Sequence, residues 1–325
     1  MQIEFPGLVD LQVNGFGGVD FHNPSNTTED VFRVIDMLRA KGVMRFLPTL
    51  ITSSFEQFAK CAKTLAQVRH PAIGGIHMEG PYISAEDGPR GAHPCEQVIK
   101  ASIDDFKRRQ EAANGGIRLV TIAPEVSGVV ELIEHMAASG VRVAIGHTAA
   151  LPEQIRNAVK AGATLSTHLG NGCPLSLPRH PNCIWEQLAN DDLFASLIVD
   201  GHHLPPATVK AMIRAKTLQR TFLVSDTLAV AGCAPGIYEL DGRKVVLNEN
   251  GQVSPLGKPW LAGSTITLER AVANTVKFTA LPIEDVLPMA SSQPAKYLGI
   301  QTLGRVTADW NATECQLSNL QVYDT

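Results

Sequence analysis

Six short apolar runs in this chain end abruptly in polar residues. Five end in an acidic, histidine or amide residue beside a glycine, serine or threonine, and the last ends in serine and threonine alone. They are GLVDLQVNG (7–15), GIHMEGPYIS (75–84), IGHTAA (145–150), STHLGNG (166–172), VSDTLAVAG (224–232) and LAGSTIT (261–267). An apolar run of this kind is typical of a strand buried on both faces, and the polar residue then lies at the strand's carboxyl end. Packing alone does not readily produce so many coincidences, so the pattern predicts a shared polar cleft and an enzyme.

Three of these polar residues form a chemically coherent set. Glu79, His147 and His168 supply one carboxylate and two imidazoles, which suit Zn²⁺ or a similar divalent ion with one position left open for water. Such an ion lowers the pKa of a water molecule to about 7 and polarises a carbonyl, which are the two requirements of amide hydrolysis. Asp226, in VSDT, is placed to take the proton from that water and to hand it to the leaving amine.

Each of these residues also has an ordinary structural interpretation. A single histidine after an apolar run is more often a structural residue, a Glu before Gly–Pro can belong to a turn, and an Asp after Val–Ser can cap a helix. Four such residues at four different strand ends favour the functional interpretation.

The segments between the motifs alternate between strand and helix patterns. Apolar runs predict strands at 8–14, 45–50, 73–78, 117–122, 141–146, 163–167, 195–199 and 221–225. Helical periodicity predicts helices at 27–41, 55–69, 96–113, 126–139, 152–161 and 205–215. Helix boundaries are indicated by Thr27, Ser53, Pro152 and Pro205 at starts and by Gly42, Gly140 and Gly162 at ends. This alternation predicts an α/β fold, a (β/α)₈ TIM-type barrel with its active site at the carboxyl ends of the strands.

We expect one barrel domain that spans 1–325. The patterns outside the strand and helix repeats predict small additions to it. An excursion at 236–253 contains an Asp241–Gly242 turn between alternating runs, which indicates a hairpin. Further helices are expected at 264–278 and 282–290. Terminal strands at about 1–5 and 315–323 are expected to form a small β appendage.

Composition excludes several classes of protein. The chain has 325 residues, of which 44% are hydrophobic and 18% charged, as in ordinary globular proteins. A net charge of −4 gives no electrostatic footprint for nucleic acid, and no apolar stretch approaches the roughly 20 residues of a membrane span. The start has no signal-peptide pattern and the six cysteines form no CxxC pair, so we expect reduced thiols and a cytoplasmic location.

The motifs together resemble those of the N-acetylglucosamine-6-phosphate deacetylase family in the amidohydrolase superfamily. The resemblance runs in matching order from Pro6 to about Leu317. It is carried by HMEGPYIS, GHTAA and THLGNG, which resemble the metal-ligand motifs, by VSDTLAVAG, which resembles the catalytic Asp motif, and by LAGSTIT, which resembles a substrate-closing loop. The resemblance implies removal of an acetyl group from an amino sugar, most directly N-acetyl-D-glucosamine 6-phosphate.

The resemblance also implies roles for individual residues. A divalent ion would be held by Glu79, His147 and His168, with Asp226 as general base and then acid. His93, in RGAHP, would contact the sugar or the tetrahedral intermediate, and Asn171 and Gly172 would offer amide groups. The implied substrate contacts are Ala92, His93, Asn171, Gly172, Arg179, His203 and Leu261. Of these, Arg179 and His203 would face the phosphate.

The chain departs from its relatives in three places. Gln12 and Asn14, both weak ligands, stand where many superfamily members have His-x-His, so we expect one divalent ion: Zn²⁺, with Fe²⁺, Co²⁺ and Mn²⁺ as alternatives. The chain begins almost at the first barrel strand, so we expect a reduced appendage. The loop 169–185 has Gly170 where an aromatic residue is usual. A guanidinium suits phosphate, but Arg179 in this altered loop could equally be solvated, and His202 is expected to have a packing role.

Three functions remain open at this point. The first is a deacetylase of an N-acetylated amino sugar, with the epimer and the phosphate undetermined. The second is another amidohydrolase, which the missing His-x-His and the absence of Lys at the end of IRLVTIAPE disfavour. The third is a non-catalytic sugar-phosphate sensor, which the retention of Asp226 disfavours. The expected partners are a small amino-sugar substrate and a second copy of the chain in a homodimer.

Overall fold

The structure is a computed structural model that describes residues 1–240, 242–258 and 261–324. In chain order, its strands are β1 Gln2–Pro6, β2 Leu8–Val13, β3 Gly15–Phe16, β4 Val19–Asp20, β5 Val43–Ile51, β6 Ile76–Glu79, β7 Ile117–Ile122, β8 Arg142–Ile145, β9 Ala163–Ser166, β10 Phe194–Leu197, β11 Thr221–Leu223, β12 Gly236–Leu240, β13 Arg243–Leu247, β14 Val253–Pro255, β15 Arg305–Asn311 and β16 Gln316–Tyr323. Its α-helices are α1 Thr28–Arg39, α2 Phe55–Gln67, α3 Ile103–Ala112, α4 Val129–Ala138, α5 Pro152–Ala161, α6 Cys183–Ala189, α7 Pro206–Lys216, α8 Leu268–Thr279, α9 Ile283–Val286 and α10 Ser292–Leu298. Short 3₁₀ turns lie at Cys95–Gln97, Leu218–Arg220 and Leu287–Ala290.

The described residues contain an eight-stranded parallel sheet in the order β11-β10-β9-β8-β7-β6-β5-β2. Its two edge strands meet where Val13 pairs in parallel with Thr227, and the Asp226 N–H donates to the Gln12 carbonyl at 2.9 Å. Helices lie between successive strands. The predicted (β/α)₈ barrel is therefore confirmed, as are its eight strands, although β5 begins at Val43 and β6 begins only at Ile76.

The amphipathic pattern of the helices explains how they cover the barrel. In α2, the buried residues are Phe58, Cys61, Ala62 and Leu65, which follow the i, i+3, i+4, i+7 spacing of one helical face. The strands are apolar on both faces because one face meets such helices and the other fills the barrel interior. All six residues of β2 are buried, including Asp10 and Gln12.

Several helix boundaries differ from the predicted ones for local reasons. Thr27 caps α1 as predicted, with a capping box to Asp30, whereas Ser54 rather than Ser53 caps α2. The predicted helix at 96–113 is replaced by a 3₁₀ turn at Cys95–Gln97 and by α3, because the Ser102 side chain caps the helix at that point. Helices α6 and α10 were not predicted.

Two smaller sheets accompany the barrel. The terminal β appendage is confirmed, but β15 lies between β1 and β16 and pairs antiparallel with both. The hairpin predicted in the excursion is formed by β12 and β13, with β14 as a third strand. Leu240 pairs with Arg243, and Asp241 of the predicted turn lies outside the described residues.

Candidate active site

The chemically important side chains follow four barrel strands. Glu79 is the last residue of β6, while His147 and His168 come two residues after the ends of β8 and β9. Asp226 follows β11 by three residues. Because the carboxyl ends of parallel strands meet at one face of the barrel, these residues converge there. The first three are buried and Asp226 is half-buried.

Glu79, His147 and His168 bring their polar atoms together. The Glu79 Oε1 lies 3.2 Å from the His147 Nε2 and 3.0 Å from the His168 Nε2. One ligand atom from each residue lies within 4.8 Å of the others. Ligands at about 2.1 Å from one tetrahedral ion would be about 3.4 Å apart, so the donor set fits a divalent ion such as Zn²⁺.

The orientation of His147 also fits this role. Its Nδ1 lies 2.9 Å from the Pro89 carbonyl, which can only accept, so the ring hydrogen lies on Nδ1. The Nε2 lone pair is then left to face Glu79. Gly172 packs against the same ring, where an added Cβ would lie 2.9 Å from Nδ1. Any larger residue at 172 would displace the imidazole.

Three of the four residues hold their side chains on left-handed backbone. The φ angles are 50° at His147, 30° at His168 and 51° at Asp226. Such conformations cost about 1–3 kcal/mol each for residues other than glycine, and they cluster at functional sites. Hydrogen bonds hold each of them: the His147 carbonyl accepts from the Ser84 N–H at 2.9 Å, and the His168 N–H donates to the Ser196 Oγ at 2.8 Å.

Two amides on the first barrel strand face the carboxylates. The Gln12 Nε2 donates to the Glu79 Oε1 at 2.9 Å, and the Asn14 Nδ2 donates to the Asp226 Oδ1 at 2.7 Å. These side chains were considered in the sequence only as weak metal ligands. In the structure, they orient the two carboxylates.

Mutual interactions shift the pKa values of the site. Burial acts to raise the pKa of Glu79, but the neighbouring His147 and His168 side chains outweigh it and hold that pKa well below its usual range. Removal from water raises the pKa of Asp226 to about 6, and the Glu79 charge acts in the same direction. His168 and the Asn14 amide oppose this rise. A bound cation would favour the ionised form of Asp226 still further.

His93 also lies at the site. Its Nε2 is 3.9 Å from the Glu79 Oε2, and its ring centroid is 4.2 Å from that of His147. Burial, together with the charge of His147, holds the pKa of His93 well below its usual range, so the ring is neutral. The Thr52 Oγ1 lies 2.8 Å from its Nδ1. Ala92, half-buried, is its neighbour in the chain.

In loop 169–172, polar groups of Asn171 and Gly172 bond to the protein itself. Both the backbone N–H and the side-chain Nδ2 of Asn171 donate to the His168 carbonyl, at 2.9 and 3.1 Å. The Gly172 carbonyl accepts from the Thr148 N–H at 3.0 Å. In this structure, the Asn171 amide thus supports the turn that carries His168.

The predicted phosphate contacts differ in how firmly they are held. Asp200 fixes His203, because its Oδ2 lies 2.6 Å from the His203 Nδ1 and its Oδ1 accepts from the His203 N–H at 2.8 Å. Arg179 is exposed and makes no hydrogen bond or ion pair with any described residue. The His202 side chain is exposed, and its Nε2 lies 3.2 Å from the Asn250 carbonyl, so its loop or packing role stays a prediction. Leu261 is half-buried.

Sequence reasoning missed two residues that contact the site. Thr52 lies next to β5 and contacts His93, and Glu125 follows β7 and contacts the turn after His147. Glu125 follows an apolar run, IRLVTIAPE, in the same way as the residues that were found. The sequence signal for Glu125 was therefore present.

A carboxylate and two imidazoles that converge at the strand ends of a (β/α)₈ barrel, close to a second carboxylate, are the arrangement of metal-dependent barrel hydrolases. The model of the amidohydrolase family matches residues 3–313. The chain belongs to the amidohydrolase family, whose members are generally metal-dependent enzymes.

Individual relatives point to one group within that family. N-acetylglucosamine-6-phosphate deacetylase of Bacillus subtilis (strain 168) is 31% identical over 306 residues, which cover 91% of this chain and 75% of that protein. N-acetylgalactosamine-6-phosphate deacetylase of Escherichia coli O157:H7 is 32% identical over 301 residues, covering 91% and 78%. A solved structure of a variant N-acetyl-D-glucosamine-6-phosphate deacetylase from Mycobacterium smegmatis, in complex with N-acetyl-D-glucosamine-6-phosphate, has a TM-score of 0.89 and 29% identity. The alignment with that structure covers 98% of this chain and 85% of the Mycobacterium smegmatis chain.

In the described part of the chain, no helix combines the length and the apolar character that a bilayer crossing requires.

Proposed function

We propose that this protein is a metal-dependent hydrolase that removes the acetyl group from an N-acetylated amino sugar, N-acetyl-D-glucosamine 6-phosphate, and gives glucosamine 6-phosphate and acetate. The observation that carries the proposal is the convergence of Glu79, His147 and His168 at three strand ends, beside Asp226. Relatives named for this reaction match most of the chain.

Glu79, His147 and His168 would hold one divalent ion, and Zn²⁺ suits their ligand types best. Bound there, the ion would polarise the acetamide carbonyl and lower the pKa of a water molecule. Gln12 and Asn14 turn amide donors toward the two carboxylates, so their nitrogen atoms offer no ligand for a second cation. Fe²⁺, Co²⁺ and Mn²⁺ share this ligand chemistry.

Asp226 would move the proton. A pKa of about 6 leaves the Asp226 carboxylate ionised at neutral pH, yet close enough to that pH to accept a proton from water and return it to the leaving amine. The Asn14 amide fixes one carboxylate oxygen at 2.7 Å and leaves the other for this transfer. Retention of this residue favours catalysis over a role as a sugar-phosphate sensor.

His93 would assist at the carbonyl oxygen. The Thr52 N–H is directed at its Nδ1 from 3.4 Å, so the neutral ring carries its hydrogen on Nε2, which faces the site. A hydrogen-bond donor aimed at the developing oxyanion stabilises the transition state of acyl transfer. Ala92, Gly172 and Leu261 would complete the wall around the sugar.

His203 and Arg179 would recognise the phosphate. Asp200 accepts from the His203 Nδ1, so the opposite ring nitrogen is free to contact an anion. Arg179 is exposed and uncommitted to any described partner, so its guanidinium could pair with a phosphate. Asn171 would have to turn away from the His168 carbonyl to offer its amide to substrate.

A second candidate is the galactosamine epimer of the same substrate, because one relative at 32% identity is named an N-acetylgalactosamine-6-phosphate deacetylase. The experiment that separates the candidates is acetate release from N-acetylglucosamine 6-phosphate, N-acetylgalactosamine 6-phosphate and the two unphosphorylated sugars. We expect the highest kcat/KM for N-acetylglucosamine 6-phosphate. A preference for an unphosphorylated sugar would contradict the phosphate assignment, and no release from any of them would contradict the deacetylase.

The homodimer and the cytoplasmic location stay predictions. Sedimentation of the purified protein tests the first, and fractionation of the source cells tests the second.

A further inference from the structure

Glu125 is the one strand-end acid in the described barrel that the proposed mechanism leaves without a role. It lies after β7, between the strands that carry Glu79 and His147, and it is half-buried. We infer that Glu125 is a positioning residue that holds the turn after His147, and through it the imidazole of that metal ligand. This inference rests on the proposed metal site.

The two carboxylate oxygens of Glu125 have separate partners in this turn. The Thr148 Oγ1 donates to the Glu125 Oε2 at 2.5 Å, and the Ala149 N–H donates to the Glu125 Oε1 at 2.7 Å. The same Thr148 hydroxyl accepts from the Ala150 N–H at 2.9 Å. One carboxylate therefore fixes three successive residues immediately after His147.

The turn needs such a clamp because His147 occupies a strained conformation. Its φ is 50°, in the left-handed region that disfavours residues with a Cβ. The remaining contacts of His147 fix other points: Ser84 binds its carbonyl, and Pro89 binds its Nδ1. Among the described residues, the backbone on the carboxyl-terminal side is fixed by the hydrogen bonds to Glu125 and by the bond from the Thr148 N–H to the Gly172 carbonyl.

Both bonds need a polar side chain of this length at position 125. A leucine would lose both of them, whereas a glutamine could keep both, because its Oε1 can accept from the Ala149 N–H and its Nε2 can donate to the Thr148 Oγ1. An aspartate would keep the charge but, being one methylene shorter, could not reach both partners. Outer-shell changes of this kind typically weaken metal binding by about 10–100-fold.

The test is the affinity of the metal-free full chain for Co²⁺, measured by competition with a chelator, together with the visible absorption of the bound Co²⁺. We expect Glu125→Leu and Glu125→Asp each to weaken binding by roughly 10–100-fold and to alter the spectrum, which reports ligand geometry, whereas Glu125→Gln should lose less than Glu125→Leu. The matched control is Glu134→Leu, the same substitution at an exposed position of α4, which should bind as the wild type does.

Other outcomes overturn the inference in distinguishable ways. Wild-type affinity in Glu125→Leu would show that the clamp does not act on the ligand. Equal losses in Glu125→Leu and Glu125→Gln, with wild-type affinity in Glu125→Asp, would assign the effect to charge and contradict positioning. A wild-type chain that binds no Co²⁺ would overturn the metal site itself, and this inference with it.

A second pair of variants keeps the test decisive if the Glu125 variants fail to fold. Thr148→Ser retains the hydroxyl that bridges Glu125 and Ala150, whereas Thr148→Val replaces it with a methyl group of similar volume. We expect Thr148→Ser to keep Co²⁺ affinity and Thr148→Val to lose it by a factor in the same roughly 10–100-fold range. Equal affinities in the two variants would overturn the inference.

Discussion

From the hydrogen bond between Asn14 and Asp226 we predict how the pH dependence of activity changes when Asn14 is replaced. The Asn14 Nδ2 donates to the Asp226 Oδ1 at 2.7 Å and stabilises the ionised form, so it lowers the pKa of Asp226. Asn14→Leu removes this donor and keeps the branched shape of the side chain. The Asn14 Oδ1 has no hydrogen-bond partner among the described residues, so the substitution costs only the donated bond.

The size and sign of the effect follow from that bond. A hydrogen bond to a charged group contributes about 1.5–3 kcal/mol, and 1.36 kcal/mol corresponds to one pKa unit. Losing the bond disfavours the carboxylate, so the pKa of Asp226 should rise by about 1–2 units in the variant. Because the base must be ionised, the acidic limb of kcat/KM should move to higher pH by the same amount. A bound cation lowers the pKa in both proteins, and the difference between them remains.

The assay is acetate release from N-acetylglucosamine 6-phosphate across the pH range at saturating metal. Relative to the wild type, Asn14→Leu should lose most activity across the window of about 1–2 pH units through which its acidic limb moves, and should recover at alkaline pH. Gln12→Leu is the matched control, because its amide binds Glu79 rather than Asp226 and its loss should appear in metal affinity. An acidic limb that does not move in Asn14→Leu would refute the assignment of Asp226 as the base.

Three further predictions follow from the same site. Asp226→Asn should lower kcat by about 10²–10⁴-fold with metal content unchanged, and near-normal turnover would contradict the proton transfer. Metal analysis of the loaded protein should approach one equivalent per chain, whereas two tightly held equivalents with Gln12 or Asn14 as ligands would contradict the single site. Arg179→Ala should lower kcat/KM for the phosphorylated sugar by roughly 10–150-fold and barely affect the unphosphorylated one. Equal losses for both sugars would mean that Arg179 holds its loop instead.

The barrel could be predicted because its strands are buried on both faces. A doubly buried strand is a nearly continuous apolar run, which stands out in sequence, and its polar end marks the active-site face. Glu79, His147, His168 and Asp226 were found in this way. Their convergence follows from the parallel topology alone.

The unpredicted elements lack such a local signal. Helix α6 follows a proline-rich loop, and its start depends on the Asn182 side chain, which accepts from two backbone N–H groups. The strand β15 is half-exposed and forms only because it pairs with both terminal strands. The pairing of β15 with β1 is a contact between the two ends of the chain, whereas the cap of α6 is local.

The hydrogen bonds within the site were equally hidden from sequence reasoning. Residue type predicts that Gln12 and Asn14 are weak ligands, but their partners, Glu79 and Asp226, come from strands far apart in the chain. The direction of the Asn171 amide depends on the local turn at His168. Such orientations require coordinates.

The most direct test of the central claim is acetate release from N-acetylglucosamine 6-phosphate by the chelator-treated protein before and after one equivalent of Zn²⁺ is returned. We expect no turnover before Zn²⁺ is returned. After it is returned, we expect acetate and glucosamine 6-phosphate to form in equal amounts. Unchanged turnover in the treated protein, or none after metal is returned, would contradict a metal-dependent deacetylase built on Glu79, His147 and His168.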